Sequence, residues 1–116
     1  MSIEDDLDAV FKALANPMRR AVCDALKLRP LTTGQLCDLF PEMNRCTVMQ
    51  HLKVLEEAGL LVPVRKGRER FNYLDAMPIQ AIHERWIGPH AAAAATGLHR
   101  LKQGLEANEK ESLRAD

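Results

Sequence analysis

Aromatic residues make up only 4% of this 116-residue sequence, cysteines number three, and 16 Lys and Arg balance 16 Asp and Glu to a formal net charge of zero. Each shortage excludes something. Cys23, Cys37 and Cys46 are odd in number and show neither CxxC nor CxC spacing, so neither a disulfide framework nor a zinc knuckle is indicated and reduced thiols are expected. The only strongly apolar, charge-free run, Ala91 to Ala95, falls far short of the roughly 20 residues that span a bilayer. Glu4, Asp5, Asp6 and Asp8 deny the N-terminus the basic start of a signal peptide, which points to the cytoplasm and to no membrane partner. A glycine-rich phosphate loop, a nucleophile motif and a carboxylate pair with a catalytic rationale are all missing, so the expectation is a protein that is not an enzyme and carries no cofactor.

What is present suffices for one domain. A hydrophobic fraction of 47% is ordinary for a folded chain, and the length leaves no room for a second full domain. The zero charge hides a segregation: acid is loaded onto the N-terminus, while Arg45, Lys53, Arg65, Lys66, Arg68 and Arg70 put base in the middle. A basic balance usually accompanies nucleic-acid binding, yet a neutral total is compatible with a basic face.

Helix signals follow one another closely. Ser2-Ile3-Glu4-Asp5 reads as a cap for a first helix with the stripe Leu7, Val10, Phe11 and Leu14. Asn16-Pro17 stops it and starts a second, which carries Met18, Ala21, Val22, Ala25 and Leu26 inward and ends before Pro30. Thr32-Thr33-Gly34-Gln35 is a capping box for a short third helix with Leu36, Leu39 and Phe40 on its apolar side. A fourth helix runs from the cap Asn44 to Gly59, the residue suited to a left-handed closure. Val48, Leu52 and Leu55 share one of its faces, with His51 and Ala58 along the edge and Cys46, Met49, Gln50, Lys53 and Glu57 opposite.

After Gly59 the period changes. Residues 60–65 are rich in Val and Leu, Lys66-Gly67-Arg68 is a turn, and 69–74 set Phe71 and Tyr73 against Arg70 and Asn72, which predicts a hairpin whose Pro63 lies on an edge strand. Pro78 opens a further helix with Ile79, Ile82, Trp86 and Ile87 on one side; Gly88-Pro89 breaks it, and a last segment runs to Leu98, Leu101 and Leu105. The expected fold is mainly α with a small β-hairpin, a winged helix-turn-helix of order α-α-α-α-β-β-α(α). Residues 1–105 form its domain, and 106–116 a frayed, charged tail.

Two helices joined by a short turn, the second bearing basic and amide groups on its outer N-terminal face, is the helix-turn-helix pattern. Arg45, Thr47, Met49 and Gln50 suit a major groove, Met49 for a thymine methyl and Gln50 for adenine. Asn44 and Cys46 belong to the same end, where oxidation of Cys46 would place bulk and charge; a small uncharged residue near the groove is its plainer role. Lys53, Arg65, Lys66, Arg68 and Arg70 suit phosphates. His51, at the edge of the apolar face, reads as a packed or phosphate-bonding histidine before a ligand, and Cys23 and Cys37 as packing thiols. The alternative for the polar face of the fourth helix is a solvated surface.

Phe11 to Arg20, Leu31 to Leu36, His51 to Leu60, Gly67-Arg68 and Tyr73-Leu74, in this order and spacing over residues 7 to 105, resemble the ArsR/SmtB family of winged-helix repressors. The resemblance implies a homodimer built mainly through the first and last helices, with Leu7, Val10, Phe11, Leu14, Ile82, Trp86, Leu98, Leu101 and Leu105 at the contact. It also implies a double-stranded DNA operator with an imperfect inverted repeat, autoregulatory repression, and an inducing signal that these residues do not specify. The family's metal ligands are not matched. Thr32, Thr33 and Gly34 stand where a third-helix CxC pair would be, and the last-helix D-x-H and H-x-x-E pattern fails because Ala81 precedes His83, Ala93 follows His90 and Lys102 follows His99. The resemblance is therefore to the metal-independent members, with no metal site expected. Two competing readings are a metal- or thiol-responsive sensor and a winged-helix protein-interaction module without DNA binding, the latter favoured only by the neutral charge.

Overall fold

The computed structural model describes residues 2–114 and divides into two units, Met1–Ile79 and Gln80–Asp116. In the first unit, α1 (Ile3–Leu14), α2 (Pro17–Leu26), α3 (Thr33–Leu39) and α4 (Arg45–Glu57) combine with strands β1 (Leu31–Thr32), β2 (Leu61–Lys66) and β3 (Glu69–Leu74). Helix α5 (Met77–Trp86) crosses the division, and α6 (Gly88–Arg114) belongs to the second unit.

The helix starts follow from the side chains that precede them. Ser2 and Asp5 form a reciprocal capping box, as do Thr32 and Gln35, so each cap satisfies backbone donors that the first turn leaves unpaired. Asn16 Oδ1 accepts the N–H groups of Met18 (2.9 Å) and Arg19 (3.2 Å). The two arginines then reach back to the end of α1. Arg19 donates to the carbonyls of Ala13 (2.7 Å) and Lys12 (3.1 Å), and Arg20 to that of Leu14 (2.7 Å). Positive charge and donors thus meet the negative, unsatisfied end of the helix dipole, which lets α2 follow α1 after a two-residue connection.

The core of this unit is Val10, Ala13, Val22, Leu26, Leu31, Leu36, Val48, Leu52, Leu55, Leu60 and Leu61. Helix α4 lies at its centre, packed against α1, α2, α3 and β2, with Val48, Leu52 and Leu55 all buried as the sequence spacing requires. Val10, expected from the sequence at a subunit contact, is instead a core residue of its own unit, with almost no surface left to meet a second copy. Leu39 is exposed although the sequence puts it on the apolar side of α3; that helix spans only seven residues and buries Thr33 and Leu36 instead.

The sheet has the order β1-β3-β2, all antiparallel. Strand β1 has no counterpart in the sequence reading, because two residues carry no period to detect. Its pairs Leu31↔Asn72 and Thr32↔Phe71 make β3 the central strand and leave β2, with Pro63, at the edge. Gly67, at φ 65°, and Arg68, with negative φ, connect β2 to β3 in the manner of a type II′ turn, whose twist suits a two-residue hairpin.

In β3 the alternation selects an unexpected inner residue. Asn72, a polar side chain, is fully buried, whereas Phe71 and Tyr73 are half-buried. Asn72 Nδ2 donates to the Leu31 carbonyl (3.2 Å) and to Thr33 Oγ1 (3.2 Å), and its Oδ1 accepts from Arg70 Nε (3.2 Å). The orientation of the amide is dictated by chemistry: a guanidinium offers donors only, and a carbonyl acceptors only.

Only Ile87 separates α5 from α6, and Gly88, the first residue of α6, has φ 57°, so the break falls beside the Gly-Pro pair that predicts it. Helix α6 then continues past Glu106 to Arg114, where the sequence reading expects a frayed tail. Its Glu, Ala and Lys content favours helix, and Lys102 approaches Glu106 to 4.0 Å at i,i+4. Met1 and residues 115–116, which that reading assigned to the domain and the tail, lie outside the described residues. Among the described residues, no helix is long and apolar enough to cross a membrane.

Replacing Asn72 with Ala strands the Leu31 and Thr33 acceptors in a buried setting and leaves the half-buried Arg70 Nε without this acceptor. The Asn72→Ala variant is expected to lose about 2 kcal/mol of unfolding free energy, measured by urea denaturation; a loss within experimental error would refute the bracing role of this amide.

Candidate nucleic-acid interface

Helix α4 is held by its buried side and ended at both termini by specific hydrogen bonds. Asn44 Oδ1 accepts the Thr47 N–H at 2.8 Å. At the other end Leu60 N–H reaches the Leu55 carbonyl (2.9 Å) and Gly59 N–H the Glu56 carbonyl (3.0 Å), with Gly59 at φ 80°. This is a Schellman closure, and Leu55 and Leu60, both buried, supply its hydrophobic contact. Opposite the buried stripe, Asn44, Arg45, Cys46, Met49, Gln50 and Lys53 are exposed and Thr47 is half-buried. No acidic residue stands in the first turn. The outward groups comprise a planar cation, an amide, a hydroxyl and a thioether, which between them match the donors, acceptors and methyl groups of a major groove.

The β2–β3 hairpin adds cations. Arg65, Lys66 and Arg68 are exposed at and beside the Gly67 turn, and the Lys66 ammonium lies 5.5 Å from the centre of the Phe71 ring. That contact steadies the lysine stem while leaving its charge at the surface. Arg70 differs. Its Nη2 donates to Glu56 Oε2 at 2.9 Å and its Nε to Asn72, so the guanidinium expected at a phosphate is engaged by the chain's own carboxylate. Neither Glu56 nor Asn72 is marked by the sequence pattern as a partner of Arg70. The available signal was Asn72 itself, since asparagine is depleted in strand interiors and one flanked by Phe71 and Tyr73 requires a local reason.

His51 is half-buried on the edge of α4, and its pKa is lowered from 6.5, first by burial and then by the nearby Arg19 charge. Cys46 is exposed; Cys23 and Cys37 are half-buried rather than enclosed, and burial followed by the charge of Asp24 pushes the Cys23 thiol up. Among the described residues, no three of His, Cys, Asp and Glu are gathered as a metal ion would require. Of the side chains expected at a subunit contact, Leu7 and Leu14 are half-buried and Phe11 exposed on α1, and Ile82 is half-buried and Trp86 exposed on α5. On α6, Leu98, Leu101 and Leu105 are 69%, 59% and 60% exposed.

This architecture has counterparts. Residues 14–64 match the family described as a helix-turn-helix domain. The chain is 34% identical over 86 residues to the uncharacterized HTH-type transcriptional regulator YuzN of Bacillus subtilis, covering 69% of this chain and 94% of that protein. It is 30% identical over 74 residues to the transcriptional repressor SdpR of the same organism, covering 64% and 81%. The crystal structure of the ArsR family transcriptional regulator RHA00566 superposes with a TM-score of 0.66 at 30% identity, over 85% of this chain and 95% of that one.

The lowered pKa of His51 fixes a sign for the pH dependence of stability. The unfolded chain takes up the proton more readily than the folded one, so stability falls as pH drops below about 6.5, continuing down to the folded-state value. The His51→Gln variant should lose less stability than the parent between about pH 7.5 and pH 5.5; parallel unfolding curves for the two proteins would contradict this.

Proposed function

Because this chain belongs to the ArsR family of winged helix-turn-helix transcriptional regulators, we propose that it is a sequence-specific repressor that binds an inverted-repeat operator as a homodimer and controls its own gene. The carrying observation is the exposed N-terminal half of α4, with Arg45, Thr47, Met49 and Gln50 outward and Val48 and Leu52 buried behind them. In this reading Arg45 and Gln50 read base edges. Met49 adds an apolar contact, Asn44 and Cys46 flank the entry point, and His51 packs at the edge of the face. Lys53, Arg65, Lys66 and Arg68 engage phosphates and fix register.

Dimerisation supplies the second half-site. One subunit places a single recognition helix, whereas a two-fold pair presents two to one face of the duplex, about 34 Å apart. Leu98, Leu101 and Leu105 recur at helical spacing on α6 and are more than half exposed, which supports a role in covering a second copy; Leu7, Phe11 and Leu14 of α1 and Ile82 and Trp86 of α5 are the further candidates. The similarity to SdpR supports repression. Residues up to about 105 would comprise the DNA-binding and dimerisation domain.

Footprinting the purified protein on DNA upstream of its own gene tests the proposal directly, with two protected half-sites on one face as the expected result. In gel-shift titrations, Arg45→Ala and Gln50→Ala should weaken the specific site by about 1–3 kcal/mol each and relax base preference. Arg68→Ala should weaken specific and random duplexes alike and reduce the salt slope by about one. Unaltered affinity in all three variants would refute the assigned face.

A further inference from the structure

The hydrogen bonds around Arg70 form a continuous chain that ties together four elements, α4, β3, β1 and α3. From α4, Glu56 Oε2 accepts from Arg70 Nη2 (2.9 Å); on β3, Arg70 Nε donates to Asn72 Oδ1 (3.2 Å); Asn72 Nδ2 then donates to the Leu31 carbonyl of β1 and to Thr33 Oγ1 of α3 (both 3.2 Å). The chain is anchored at a fully buried amide and ends on a side chain that is 42% exposed. Arg70 is its middle link, with 22% of its side chain exposed. It lies two residues along the chain from Arg68 of the turn, so its placement bears on where the wing cations stand relative to the outward face of α4.

From this juxtaposition we infer that Glu56 and Arg70 are positioning residues for DNA binding: they lock the β2–β3 wing to the recognition helix, so that Lys66 and Arg68 reach phosphates while Arg45 and Gln50 occupy the groove. The inference rests on the proposed DNA-binding face and adds to it. Arg70 then acts through Glu56 and Asn72 rather than on phosphate. Glu56, an acid beside a polyanion-binding surface, strengthens binding despite its sign. Holding the wing in advance removes an ordering cost that a loose hairpin would incur on the DNA.

The charge of Glu56 and its geometry are separable. Glu56→Ala and Glu56→Gln remove the same negative charge, and simple electrostatics makes both bind DNA more tightly and to the same extent. Only glutamine keeps an oxygen that can accept from Arg70. The full-length chain is titrated with a random-sequence duplex of about 30 base pairs at several salt concentrations, which engages the wing without requiring a known operator. Glu56→Ala is expected to bind roughly threefold to tenfold more weakly than the parent and Glu56→Gln within about twofold of it. In a Lys66→Ala/Arg68→Ala background the difference between the two substitutions should vanish, because the wing then has nothing to deliver; loss of general stability would not produce that dependence. Both substitutions are at a partly exposed site, so the fold is retained, and thermal unfolding of each variant verifies it. Equal affinities for the alanine and glutamine variants, tighter binding by the alanine variant, or a difference that persists without the wing cations would overturn the positioning role. Absence of salt-sensitive duplex binding by the parent protein would instead overturn the DNA-binding reading, and this inference with it.

Discussion

The outer face of α4 is free to carry unlike chemical groups only because its inner face is fixed by Val48, Leu52 and Leu55, each at most 1% exposed. Burying three aliphatic side chains contributes on the order of 5–9 kcal/mol before entropy is subtracted, comparable with the whole net stability of a small domain. Docking of this helix and folding of the first unit are therefore nearly the same event. It also explains why α4 meets α1, α2, α3 and β2 at once, while its outward side chains contribute little to the fold. Arg45, Thr47, Met49 and Gln50 occupy those outward positions, where a substitution disturbs the core little.

Hydrophobic contact fixes the depth of a helix more firmly than the angle of a hairpin beside it, since apolar attraction is non-directional. The directional part comes from polar groups. Asn72 pairs across β1, β3 and α3 with both ends of its amide satisfied, and Arg70 extends this pairing to Glu56 on α4. Such a network stabilises less than its bond count suggests, because both partners give up water, but it penalises every arrangement that leaves a member unpaired. Burial and pairing thus divide the work: leucines hold α4 in the core, and the asparagine–arginine–glutamate series sets the wing against it.

Much of this was legible in the sequence because it depends on local rules. The caps Ser2, Asn16, Thr32 and Asn44, the closure at Gly59, the turn at Gly67, the edge position of Pro63 and the break at Gly88 are each decided by one or two neighbouring residues. The apolar stripe of α4 was equally clear from its spacing. What escaped depends on distant partners. Strand β1 exists because Leu31 and Thr32 meet residues 71 and 72, a separation that no local pattern encodes. Arg70 read as a free cation because Glu56 precedes it by 14 positions. Val10 and Leu7 lie on the same helical stripe, and spacing alone cannot tell that the first closes a core while the second is only half covered.

The neutral total charge, the strongest sequence argument against a nucleic-acid partner, loses force once the charges have positions. Glu4, Asp5 and Asp6 stand in the first turn of α1, where the helix dipole favours acid, and Glu56 is matched to Arg70. Exposed Arg45 and Lys53 on α4 and Arg65, Lys66 and Arg68 on the wing are contributed by two elements of the same unit that touch through β2. A polyanion responds to charge within about one Debye length, roughly 8 Å at physiological salt, and only weakly to the sum over a whole surface. Net charge therefore governs the long-range approach of this protein, while the local cluster governs what happens on contact. A chain with zero total charge and a basic helix–wing face is physically suited to bind a polyanion in a strongly salt-dependent way without the general stickiness of a basic protein.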